Sequence, residues 1–193
     1  MGNNMKKQRC GYSLIALAML AMTGSAAATD LNVNFTANIR ETTCDMKLVG
    51  GEGSDTQQTL TIGTNGQVRI DDVKAGTANA AFKIVMVECP ASLTSLKTTV
   101  KGTASGILPT GLTNQITGAN GGSDYAAVEI ARESAPTAPF TINSKTDSQR
   151  LVWTSTEIEN KEVPLVATLR ETKANSMTIG DFQAVATFEF SYE

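Results

Sequence analysis

The 193-residue chain has no histidine, a single tryptophan and three cysteines, and only 18% of its residues are charged. Without histidine, Ser-His-Asp and Cys-His catalysis and histidine-ligated zinc are excluded. No basic cluster is present to release counterions from a phosphate backbone, so nucleic acid is not an expected partner. Long helix-period stretches are missing as well. Acidic residues such as Asp71-Asp72 and Glu157 with Glu159 are candidates in principle for a carboxylate pair of the glycosidase kind. Asp71 and Asp72 read as neighbours in an extended run, pointing to opposite faces, and so as solvated charges. "TGANGGSD" is glycine-rich but matches neither a phosphate-cradling loop nor a dinucleotide fingerprint, and it precedes a strand; it reads as a mobile surface loop. No catalytic residue, metal ligand or cofactor is expected.

What is present begins with an export signal. Lys6, Lys7 and Arg9 precede an apolar run from Leu14 to Met22, and small residues follow up to Ala28. That order reads as a secretory signal peptide over residues 1–28, with translation starting at Met1 or Met5. The apolar core is shorter than the roughly 20 residues of a membrane span. Cys10 lies ahead of the apolar run, not after it, and leaves with the signal. Residues 29–193 then carry 13 Lys and Arg against 19 Asp and Glu, a net charge of −6. Such a length suits one domain with a substantial core. Cys44 and Cys89 remain in a chain bound for an oxidising compartment, where pairing is the default. Closing that loop is worth about 4 kcal/mol by chain entropy.

Short β-branched or aromatic runs follow one another: "TLTIG", "QVRI", "AFKIVMVEC", "LKTTVKGT", "YAAVEIAR", "RLVWT", "VPLVATLR" and "FQAVATFEFSY". Gly, Asn, Pro and Ser-rich turns separate them at intervals of roughly 8 to 12 residues, the signature of an all-β antiparallel sandwich. Phe82, Ile84 and Met86 share a face of the run that closes on Cys89. Trp153 reads as a core residue in preference to a sugar-stacking platform.

Both ends of the exported chain carry a disciplined period-2 pattern. Leu31, Val33, Phe35, Ala37 and Ile39 alternate with Asn32, Asn34, Thr36, Asn38 and Arg40. At the other end, Phe182, Ala184, Ala186, Phe188, Phe190 and Tyr192 alternate with Gln183, Thr187, Glu189 and Ser191. A terminal strand of this regularity is expected to be tied into a sheet or covered. Only Glu41-Thr42-Thr43 separate the first pattern from Cys44, which leaves no loop for that strand to fold back.

Four features together resemble the pilin subunits of chaperone-usher fimbriae of the type 1 kind. They are the alternating segment before Cys44, the F-x-I-x-x-x-x-C run at Phe82, Ile84 and Cys89, the "AAVEI" run at Ala126 to Ile130, and the terminal G-x-F-x-A-x-A-T-F-x-F-x-Y ending on Tyr192. In that family a Gly stands fourteen residues from the carboxyl end, the place of Gly180 here. The resemblance implies an incomplete immunoglobulin-like (pilin) sandwich over residues 44–193, lacking its last strand and completed by a donor strand from a neighbouring subunit. It makes residues 29–43 a donor-strand extension whose Leu31, Val33, Phe35, Ala37 and Ile39 fill successive pockets of the next subunit. It places Gly180, Phe182, Ala184, Ala186, Phe188, Phe190 and Tyr192 on the groove and chaperone-binding edge.

The implied partners are other fimbrial subunits, a periplasmic fimbrial chaperone and an outer-membrane usher, with export through the periplasm and assembly in the extracellular fimbrium. The short extension resembles minor tip-adaptor subunits more than rod-forming ones. Where family extensions usually carry Gly, this chain carries Ala37. Two readings of other classes stay open: a carbohydrate-binding afimbrial adhesin, and a self-contained secreted enzyme or inhibitor. An unpaired apolar strand and an open groove are aggregation hazards, so a chaperone is a physical requirement of the leading reading.

Overall fold

A computed structural model describes residues 43–90 and 92–192. The signal segment 1–28 and all five alternating residues Leu31, Val33, Phe35, Ala37 and Ile39 lie outside the described residues. In chain order the elements are β1 (Asp45–Val49), β2 (Glu52–Gly53), β3 (Gln58–Thr59), α1 (Ile70–Ala75), β4 (Asn79–Glu88), β5 (Leu96–Lys101), β6 (Gly111–Thr113), a 3-10 turn (Gly118–Asn120), β7 (Ala126–Arg132), β8 (Leu151–Val152), α2 (Ser155–Glu159), β9 (Glu162–Glu171) and β10 (Thr187–Tyr192).

The strands form two facing sheets. One runs β1-β4-β9-β7-β6 and the other β10-β5-β8, with β2 and β3 as a separate small hairpin. Every pairing between these strands is antiparallel. Period-2 patterning decides which side chains meet. Ile84 stands opposite Val163, and Phe82 opposite Leu165. Ala167 of β9 in turn faces Ile130, and Leu169 faces Val128. From the second sheet Leu96 and Val100 complete the core, with Trp153 beside them. The Trp153 indole N–H donates to the hydroxyl of fully buried Thr98 at 2.9 Å, so the one polar atom of each is satisfied. A disulfide joins Cys44, just before β1, to Cys89, just after β4.

Several local expectations change. "QVRI" is not a strand, because Ile70 opens helix α1. Asp71 and Asp72 occupy its first turn, where they face the positive end of the helix dipole. Lys74 lies in the last turn, and Gly76 ends the helix in the left-handed conformation with φ of 73°. The two aspartates therefore do not point to opposite faces of an extended chain. Glu157 belongs to a capping box with Thr154 at the start of α2. "TGANGGSD" is pinned in place: Gly122 bridges Asp181 in parallel, and Ser123 is buried.

Candidate functional site

The two sheets expose one edge each on the same side of the sandwich: β1 borders the larger sheet and β10 the smaller. Two contacts across the sandwich fix this. The Phe82 and Phe188 ring centroids lie 5.9 Å apart. The Tyr192 hydroxyl donates to the Cys44 carbonyl at 3.4 Å. Between these edges, and among the described residues, no strand bridges the sheets.

The terminal run gives this open side its character. From Phe182 to Tyr192 the exposure alternates without a break: the even-numbered residues are half-buried and the odd-numbered ones exposed. None of Phe182, Ala184, Ala186, Phe188, Phe190 and Tyr192 reaches full burial, although all six pack against the core. On the opposite lip Met46 and Leu48 of β1 are likewise half-buried and stand opposite Met86 and Ile84. Half-covered apolar rows on two facing edges make a groove whose floor is the core and over which, among the described residues, no strand lies. In β10, Phe188 pairs with Val100, Phe190 with Thr98 and Tyr192 with Leu96, so the groove wall continues the inner face of β5. Outward, Glu189 lies 3.8 Å from Lys101 and 3.9 Å from Lys145, leaving the charges on the solvent face.

Regular pairing with β5 begins only at Thr187. Ahead of it the chain is extended and held by other means. Asp181 donates its N–H to the Gly121 carbonyl at 2.9 Å and accepts from the Ser123 N–H at 2.9 Å. The Gln183 carbonyl accepts from the Gln115 N–H at 2.7 Å, and the Gln183 N–H donates to the Asn114 side-chain oxygen at 2.9 Å. Successive residues of an extended chain turn their N–H and C=O to opposite edges. Because 181 and 183 turn theirs inward, Phe182 and Ala184 present theirs along the open edge. The groove therefore offers an apolar wall together with a backbone edge that, among the described residues, no strand pairs.

Gly180 has a different role from the groove wall. A β-carbon there would sit 2.5 Å from the Gly122 carbonyl carbon and from the Ser123 nitrogen. It is the close-packing point that lets the terminal segment dock on the 121–123 turn. Burial raises the Tyr192 phenol above its ordinary range, and nearby Asp45 adds to the effect. Beside the groove-wall residues proposed from the sequence, the structure adds Met46, Leu48 and Asn114. Met46 and Leu48 carried a signal, an alternation directly after Cys44; Asn114 carried none, because its partners on the terminal segment, Asp181 and Gln183, are distant in sequence.

These features define a β-sandwich of the immunoglobulin-like pilin class, one side of which no strand closes among the described residues. The family profile described as "Fimbrial protein" matches residues 24–193, and the chain belongs to that family, a structural and not an enzymatic one. It is 28% identical over 186 residues to the uncharacterised fimbrial-like protein YadM of Escherichia coli strain K12, covering 94% of this chain and 97% of that protein. The fold matches the P pilus rod subunit PapA with a TM-score of 0.51 at 18% identity, over 84% of this chain and 100% of PapA. A chain from a chaperone-usher pilus structure concerned with rod uncoiling also matches, at TM-score 0.51 and 15% identity, covering 86% and 96% of the two chains.

Proposed function

We propose that the chain is a structural subunit of a chaperone-usher fimbria that polymerises by donor-strand exchange. The groove between β1 and β10 receives an extended apolar strand from a neighbouring subunit, and residues 29–43 of this chain supply the corresponding strand to the next. The observation that carries this reading is the unbroken alternation of half-buried and exposed residues from Phe182 to Tyr192, beside an edge that no other strand pairs among the described residues. Strand addition to a sheet edge is a recognised mode of peptide binding, and pilin complementation is one of its known cases. Backbone hydrogen bonds supply affinity in this mode, and pockets for alternate side chains supply specificity.

The energetics are adequate without a covalent link. Burying Leu31, Val33, Phe35 and Ile39 at about 1.5 to 3 kcal/mol each gives about 6 to 12 kcal/mol gross. A periplasmic chaperone covers the groove until exchange, an outer-membrane usher passes the subunit outward, and the product is an extracellular fimbrium contributing to adhesion. The shortness of the extension before Cys44 favours a minor, tip-adaptor position in that polymer.

Replacing Phe35 with Asp tests the reading. The variant is expected to co-purify with its chaperone but to be missing from assembled fimbriae as a donor, since a carboxylate would have to enter an apolar pocket. Normal polymers from the variant would count against strand donation.

A further inference from the structure

We propose that Asn114 is a positioning residue for strand capture, holding the unsupported start of the receiving edge in the extended form that an incoming strand reads. This rests on the donor-strand reading above and deepens it. The Asn114 amide nitrogen donates to the Ser123 carbonyl at 2.9 Å and to the Asp181 carbonyl at 2.8 Å. Its oxygen accepts from the Gln183 N–H at 2.9 Å and from the Ile116 N–H at 3.1 Å. A side-chain amide has two donors and an oxygen with two lone pairs. All four positions are filled by backbone groups, and reversing the amide would set its oxygen against two carbonyls, so the orientation is fixed by its partners.

The location gives these bonds their purpose. Residues 182–186 are the part of the groove wall that regular pairing with β5 does not reach, since that ladder starts at Thr187 opposite Lys101. A side chain at 114 and the backbone of Gln115 stand in for the missing ladder at Gln183. With 181 and 183 tied inward, Phe182 and Ala184 keep their half-buried side chains on the groove and turn their backbone groups to the edge that no strand pairs among the described residues. An incoming strand then meets a formed edge and need not order it, which removes an entropic barrier from the association step. The principal effect is therefore on the rate of capture.

The test uses the full exported chain, refolded by dilution, and a labelled synthetic peptide of residues 29–43 as the incoming strand. In the Asn114→Ala variant, capture followed by fluorescence anisotropy is expected to slow by tenfold or more. Amide exchange is expected to accelerate at Gln183, while the amides of β7 and β9 keep their protection. Asn114→Asp keeps the acceptor but sets a charged oxygen against the Ser123 and Asp181 carbonyls, so it is expected to slow capture at least as much as alanine. Asn114→Ser, whose hydroxyl keeps one donor and an acceptor, is expected to fall between wild type and alanine and serves if the alanine variant does not fold. Slowing of less than tenfold, or an equal loss of protection in β7 and β9, would overturn the positioning role while leaving strand exchange intact. A wild-type chain that captures no peptide would overturn the donor-strand reading, and this inference with it.

Discussion

The Tyr192 hydroxyl reaches the Cys44 carbonyl at 3.4 Å, joining the penultimate residue of the chain to the disulfide that anchors β1. One lip of the groove is thereby tied to the other at this end. The bond is long, and a net hydrogen bond of this kind is worth at most about 1 kcal/mol. Tyr192→Phe is therefore expected to keep the fold and lower the unfolding free energy by less than about 1 kcal/mol, as read by denaturant titration.

The same tyrosine gives a pH signature. Burial, aided by Asp45, raises its phenol above the ordinary range. The folded state thus holds the proton more tightly than the unfolded state. Its stabilising contribution is complete below the ordinary phenol value, near pH 10, and is lost as pH rises through the folded value. The alkaline edge of the stability profile should flatten in Tyr192→Phe; an unchanged edge would show that another group sets it.

Glu157 gives the opposite signature at acid pH. Burial alone would raise its carboxyl, but the Arg132 guanidinium, with Nε at 2.8 Å, and the Thr154 N–H hold it below the usual range. Its contribution is complete above the ordinary glutamate value of about 4.3 and is lost as pH falls through the folded value. Arg132 also donates to the Val152 carbonyl and lies 6.0 Å from the Phe140 ring centre, so the pair ties α2 and β8 to β7. Glu157→Gln is expected to cost about 1–3 kcal/mol near neutral pH and to flatten the acid edge, measured by thermal unfolding across pH.

Gly180→Ala is expected to destabilise the chain by about 1–3 kcal/mol, the usual range for overpacking. The new methyl meets backbone atoms of residues 121–123, which cannot rotate away as a side chain can. Its loss of stability should be accompanied by faster amide exchange at Asp181 and Gln183. A variant as stable as the parent would mean that the 121–123 turn shifts at little cost.

Alternation was the strongest signal in the sequence, and it identified the burial pattern from Phe182 to Tyr192 residue by residue. It did not reveal that β-pairing starts at Thr187, because the length of the partner strand β5 is set elsewhere in the chain. β-branched composition misled at "QVRI", where it suggested a strand. The start signals of a short helix, Asp71 and Asp72, and its stop signals, Lys74 and Gly76, were nearby, and they decide the local structure. Asn114 and Gly122 matter through contacts with residues 181 and 183, and such long-range pairings leave no local pattern. The paired cysteines were legible because an oxidising destination makes their pairing the default, and the bridge is present.

The central claim is that the side between β1 and β10 is an acceptor for an extended strand. Thermal unfolding of the chain carrying a second copy of residues 29–43, joined after Glu193 by a flexible linker, tests it most directly. The account predicts a chaperone-independent monomer that unfolds at a markedly higher temperature than the parent, with the gain abolished by Phe35→Asp in the added copy. An unchanged midpoint, or a parent monomer already fully folded with its own leading segment seated in the groove, would contradict it.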